Sequence, residues 1–147
     1  MGKQHLLISL CLLGEPCRYD GKSVPMSGEV IERLKEKYIL VPVCPEQEGG
    51  LPTPRIPAER KGERIVRRDG GDVTAEYAKG AETALSLCRK HNISIALMKA
   101  KSPSCGAGLI YDGTFSGTLT AGDGVTVALL AENGIKVYTE NEINALL

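Results

Sequence analysis

Four short apolar runs, HLLISL, YILVPV, ISIALM and IKVY, are separated by stretches of helical periodicity, and that alternation leaves few folds open to this chain. The runs are apolar at consecutive positions, as expected of strands buried on both faces of a parallel sheet. Between the first two, Ser27 is placed to cap a helix whose core stripe is Val30, Ile31, Leu34 and Tyr38. A second helix is predicted from Thr74, as its cap, to about His91, with Ala78, Ala81, Leu85 and Cys88 as a small-residue packing face. Asp123 is placed to cap a third helix running through Glu132, and Gly134 to end it in the left-handed conformation. Thr139 and Glu142 match a capping box for a terminal helix. Strand, helix and strand of these lengths make right-handed βαβ units. The expectation is a three-layer α/β/α sandwich with a mainly parallel central sheet, Rossmann-like, formed by residues 1–147 as a single domain.

The segment from Pro45 to about Asp72 breaks the pattern. It is rich in Gly, Pro and charge without a sustained period, and reads as a long functional loop or lid. Its basic section holds Arg60, Lys61, Arg64, Arg67 and Arg68, with Arg55 just upstream. Two readings stand: a solvated surface, or a clamp for phosphate over a binding site. After Cys105, IYDGTFSG contains an Asp-Gly turn and suggests a short hairpin near the binding edge.

Cys11, Cys44 and Cys105 stand just past the ends of three of the predicted strands. In a parallel α/β sheet those ends share one edge, where ligands bind. Three thiolates gathered there would make a metal or iron–sulfur site with one position open. The alternative is that all three are small buried apolar residues. Cys88 lies on a helix packing face and reads as structural. Cys17 follows Cys11 in a Gly- and Pro-containing loop, and its place is open between a nearby thiol, a fourth ligand and a surface residue. Neither His5, at the start of a strand, nor His91, at a helix end, reads as a ligand.

Composition narrows the partners. The formal net charge is +0, so no overall field draws the chain to nucleic acid or an acidic membrane. One Phe and no Trp argue against broad stacking platforms for single strands. Five cysteines, an odd number without the spacing of a disulfide scaffold, point to a reducing, cytoplasmic setting. The apolar run after Lys3 reads as a buried strand instead of a signal peptide, and no stretch has the apolar length of a membrane span. Oligomeric state is not encoded in any of these patterns.

The segments CLLGEPCRYDGKS, VCPEQEGGLPTPR, AERKG, DVTAEYAKGAE, KAKSPSCG, IYDGTFSG and GDGVTVALL, in this order, resemble the thiouracil/thiouridine desulfidase family, formerly the domain of unknown function 523 family. The resemblance covers nearly the whole chain. It implies a [4Fe-4S] cluster held by Cys11, Cys44 and Cys105 with its fourth iron open, and catalytic roles for Glu46 and Ser102. Cys17 departs from the apolar residue common at its position in that family. The implied reaction is hydrolytic desulfuration of a thiolated pyrimidine, whether thiouracil, thiouridine or its nucleotide, to the oxo form with release of sulfide; an RNA fragment is a further substrate class. Two other classes compete: a non-catalytic metal or sulfide storage or sensing protein, and a cluster-free ligand-binding module.

Overall fold

A computed structural model describes residues 2–22 and 25–147. Its central sheet contains β1 (Gln4–Ser9), β2 (Tyr38–Val43), β5 (Ile95–Met98) and β8 (Lys136–Thr139) in the order β2-β1-β5-β8. All three pairings are parallel, with Leu7 opposite both Val41 and Ala96, and Leu97 opposite Tyr138. Each strand alternates its side chains between two apolar layers, as a pleat of period two requires. Leu6 and Ile8 of β1 and Leu97 of β5 pack with Leu12, Leu34 and Leu146 on one face. Leu7, Ala96 and Met98 pack on the other with Ala84, Leu85 and Cys88 of α3 (Thr74–Lys90) and Val127 and Leu130 of α4 (Val125–Glu132). The result is the expected three-layer α/β/α arrangement around a parallel sheet.

The first face is covered by α1 (Gly28–Lys37), where Ser27 accepts a hydrogen bond from the Val30 amide at 3.3 Å, and by 3-10 turns at Leu10–Leu13 and Glu140–Ala145. The Thr139–Glu142 capping box is present, but it opens a 3-10 segment instead of an α-helix. Gly134 has φ of 80°, in the left-handed region expected of it.

The segment after β2 is more ordered than a loop. It forms α2 (Pro45–Glu48) and a hairpin of β3 (Ala58–Lys61) and β4 (Arg64–Arg67) joined at Gly62 and Glu63. Two expected helix caps are replaced. Thr74 is the first residue of α3, and its hydroxyl accepts from the Ile65 amide of β4 at 2.9 Å while Asp72 accepts from the Thr74 amide at 2.8 Å. Asp123 gives way to Gly124 as cap and accepts from the Gly108 amide at 2.8 Å. Ala81, Leu85 and Cys88 of the expected packing face of α3 are buried, Tyr77, Gly80 and Ala84 widen that face, and Ala78 alone of the expected four is exposed. The Asp-Gly segment does join a hairpin, β6 (Leu109–Tyr111) and β7 (Leu119–Ala121). Among the described residues, no helix is long and apolar enough to cross a membrane.

The chain leaves β1 for the edge at β2 and then returns across the sheet to β5. The connections therefore diverge between β1 and β5, which opens a crevice at the C-terminal ends of these strands.

Candidate active site

That crevice is a cavity of about 520 Å³. Cys11 reaches it from the turn after β1, Cys44 from the end of β2, and Cys105 from the loop after β5. Glu46, Ser102 and Cys17 line it as well. Cys88 does not; it is buried in the core between α3 and the sheet. His5 and His91 stack on each other with ring centroids 5.4 Å apart, outside the cavity lining.

Two close backbone approaches seat the cysteine loops. At Gly80, a Cβ would overlap the Pro45 carbonyl oxygen, so glycine lets α3 press against the residue between Cys44 and Glu46. At Gly124, a Cβ would overlap the Ser104 carbonyl, directly before Cys105. Ser104 is fully buried and shares a 2.7 Å hydrogen bond with Thr126, which ties the Cys105 loop to the start of α4.

The thiols are only 4–8% exposed. Burial pushes the Cys105 thiol well above its ordinary value, and the nearby Glu46 charge adds to this. The Cys44 thiol donates to the Cys17 carbonyl at 3.8 Å, and the Cys11 and Cys44 side chains both act on the Cys17 thiol. Its bond to Cys11 is the main cause raising it to about 11, and the bond between Cys17 and Cys44 likewise raises Cys44. Among the described residues no three His, Cys, Asp or Glu side chains converge closely enough to hold a single metal ion. In an iron–sulfur cluster each cysteine binds a different iron, so its sulfurs stand farther apart than ligands of one ion. Three buried thiols lining one cavity have the donor chemistry that an iron–sulfur cluster takes.

Glu46 sits on α2 and is held by Arg55. Arg55 Nη2 lies 2.8 Å from Glu46 Oε2, with the two side chains 6% and 15% exposed. The Arg55 Nη1 donates to the Cys17 and Pro52 carbonyls and to Thr53 Oγ1, each at 3.2 Å. Burial opposes the Arg55 charge, but the Glu46 carboxylate outweighs it and holds the guanidinium firmly protonated. Arg55 is therefore occupied with the carboxylate. Tyr77, buried behind the pair, lines the cavity, and burial followed by the Glu46 charge pushes its phenol up.

Ser102 Oγ accepts the amides of Ser104 and Cys105, both at 3.1 Å. A hydroxyl has two acceptor positions and one proton. With both acceptors engaged, its remaining capacity is to donate a hydrogen bond into the cavity.

Of the basic residues upstream, Arg68 alone lines the cavity. Arg64 pairs with Asp72 and Arg67 with Asp69, each at 3.0 Å on the surface. Arg60 donates to the Gly62 and Asp123 carbonyls, and Lys61 is exposed at the hairpin end. The other cations on the lining, Arg18, Lys99 and Lys101, lie outside the segment singled out for its basic character. Lys99 and Lys101 follow β5 directly, so the strand-end argument that found Cys105 extends to them. Lining residues Tyr111 and Phe115 belong to the IYDGTFSG hairpin expected near this edge, whereas Tyr19 and Glu59 carry no local signal and are gathered only by the tertiary fold.

A family model described as 2-thiouracil desulfurase matches residues 6–142. The chain belongs to the 2-thiouracil desulfurase family. Two relatives span nearly its whole length. The "Uncharacterized protein YbbK" of Bacillus subtilis (strain 168) is 43% identical over 152 residues, covering 97% of this chain and 99% of its own. A solved structure, the [4Fe-4S]-dependent thiouracil desulfidase TudS (DUF523Vcz), superposes with a TM-score of 0.94 at 49% identity, covering 98% of this chain and 95% of that one. The 2-thiouracil desulfurase fold thus includes every element that lines the cavity.

Proposed function

We propose that this protein hydrolyses a thiolated pyrimidine, replacing the thiocarbonyl sulfur with oxygen from water and releasing sulfide. The observation that carries this reading is the joint placement of three buried thiols, the Arg55-held Glu46 and the donor Ser102 on one cavity. The 49% identity to the thiouracil desulfidase supports the same reaction class. Cys11, Cys44 and Cys105 would hold a [4Fe-4S] cluster. When bound, that cluster supplies a soft Lewis acid for the thiocarbonyl sulfur through an iron without a protein ligand.

The remaining work belongs to side chains. Glu46 accepts a proton from the attacking water, and Arg55 fixes the carboxylate's position through their 2.8 Å contact. Ser102 donates to a ring nitrogen or oxygen of the substrate, because its acceptor positions are taken by the Ser104 and Cys105 amides. The oxygen of water replaces sulfur on the carbon and the two protons of water leave with the sulfur as hydrogen sulfide, so no net electron transfer is needed. The volume of about 520 Å³ would be shared between the cluster and the substrate, which suits a compact pyrimidine ring.

The test is anaerobic sulfide release from thiouracil, thiouridine and its monophosphate, with iron measured in the same samples. Glu46→Gln is expected to keep its iron and to lose about 10²–10⁴-fold in turnover. Full turnover in Glu46→Gln would remove Glu46 as base. A fully loaded protein that turns over none of the three substrates would favour metal or sulfide storage or sensing instead.

A further inference from the structure

Of the six aromatic residues in this chain, five Tyr and one Phe, four line the cavity just described: Tyr19, Tyr77, Tyr111 and Phe115. Phe115 is the unusual one. It sits in the loop between β6 and β7 with φ of +57°, a left-handed conformation that a bulky side chain rarely adopts. Glycine or asparagine would serve the turn with less strain. Nor does the ring explain itself as core, for it belongs to none of the three buried apolar clusters.

The loop is nonetheless held firmly in place. Glu59 Oε1, reaching over from β3, accepts the amides of Gly113 at 3.0 Å and Phe115 at 3.2 Å. Asp112, Thr114, Ser116 and Thr118 are linked by hydrogen bonds of 2.6–2.8 Å. Arg68 places its guanidinium carbon 5.6 Å from the centroid of the Phe115 ring, and it lines the cavity beside it. Strain kept at a site by surrounding bonds is a mark of function.

We infer that Phe115, backed by Arg68, is the wall against which the flat ring of the substrate stacks, and that it sets the preference for planar over saturated rings. This rests on the thiolated-pyrimidine reading above and names a specificity residue for it. A face-on aromatic contact favours a conjugated ring through its π-surface. A puckered, saturated analogue of nearly the same size gains much less from it.

The experiment compares 2-thiouracil with its 5,6-dihydro derivative on the anaerobically purified protein, by equilibrium dialysis and by sulfide release. Phe115→Leu should weaken 2-thiouracil binding and raise its KM by about tenfold. Its kcat should stay within about threefold, with the dihydro compound hardly affected. Phe115→Tyr should restore binding. Phe115→Asn suits the left-handed backbone, so it should hold its Tm while binding weakens as in Phe115→Leu. Equal losses for both compounds, no loss for either, or binding lost only together with a collapsed Tm would overturn the inference. Turnover by the wild type with no Phe115 effect defeats the wall and leaves the reaction standing. Phe115-dependent binding without turnover does the reverse, and a wild type that binds neither compound defeats both.

Discussion

Gly80→Ala sets two effects of comparable size against each other, and the structure says which wins. Gly80 lies inside α3, where alanine is ordinarily better by about 0.8–1.0 kcal/mol. Its added Cβ would overlap the Pro45 carbonyl oxygen and fall 2.6 Å from the carbonyl carbon and 3.1 Å from Cα. These are backbone atoms, so no rotamer change relieves the overlap, and α2 must move away from α3. Overpacking of this kind costs about 1–3 kcal/mol, and a backbone obstacle puts it at the upper end. The net loss expected is about 1–2 kcal/mol, or a Tm lower by roughly 3–8 °C for a chain of this size. Because Pro45 lies between Cys44 and Glu46, iron per chain and sulfide release should fall with it. Gly28, the first residue of α1, has nothing within 4 Å of an added Cβ and serves as control. Gly28→Ala should melt at or above the wild-type temperature. Thermal melting by circular dichroism and iron analysis on anaerobic samples decide the matter. A Gly80→Ala protein as stable as wild type with full iron would refute the packing argument.

Cys11→Ala, Cys44→Ala and Cys105→Ala should each lose most of their cluster iron, whereas Cys88→Ala should keep it and melt earlier through lost packing. Cys17→Ala should also load with iron; near-complete loss there would make Cys17 a fourth ligand and close the open position. Arg55→Met leaves the Glu46 carboxylate and the Cys17 carbonyl without their shared donor in a mostly buried setting, and should cost about 3–5 kcal/mol. Combining it with Glu46→Gln should recover about 0.5–3 kcal/mol of the summed losses in a denaturant cycle. Strict additivity would mean that the two side chains do not act together.

What was legible in the sequence was whatever rested on contiguous residues. The run Tyr38–Val43 is a strand over the same six residues, since six successive apolar positions leave no other period. Ser27 caps α1 through a local bond, its hydroxyl accepting from the Val30 amide three residues on. Thr74 and Asp123 fail as caps for a common reason: each side chain is recruited by a distant amide, Ile65 in one case and Gly108 in the other. The β3–β4 hairpin was hidden by its charges, for in AERK and RIVR only Ile65 is fully buried. Its strands hold through their partners, with Glu59 gripping the Phe115 loop and Arg60 donating to the Asp123 carbonyl at 2.6 Å. The strand-end cysteines could be found from position alone, because topology fixes where strand ends lie. The Glu46–Arg55 pair could not, since it depends on how α2 turns back toward residues 52–55.

The disposition of charge bears on what the cavity accepts. A basic segment in a neutral chain suggests a phosphate clamp, but most of those cations are already engaged. Arg55 is committed to Glu46, Arg64 to Asp72 and Arg67 to Asp69, and Arg60 to two carbonyls. At the cavity itself, Lys99 pairs with Glu140 at 2.8 Å and Arg18 with Asp20 at 3.6 Å, Arg68 lies over the Phe115 ring, and Lys101 is left without an ion pair among the described residues. A polyanion would have to break several of these contacts before gaining its own; the exposed pairs are worth about as much as those replacing them, and the buried Arg55–Glu46 pair costs more to break. A small ring asks for none of this. It needs an apolar wall, a hydrogen-bond donor and a carboxylate held near its reacting carbon, which Phe115, Ser102 and Glu46 offer on the lining. The internal pairing of its cations thus favours a compact heterocycle over a nucleic-acid strand as the partner of this site.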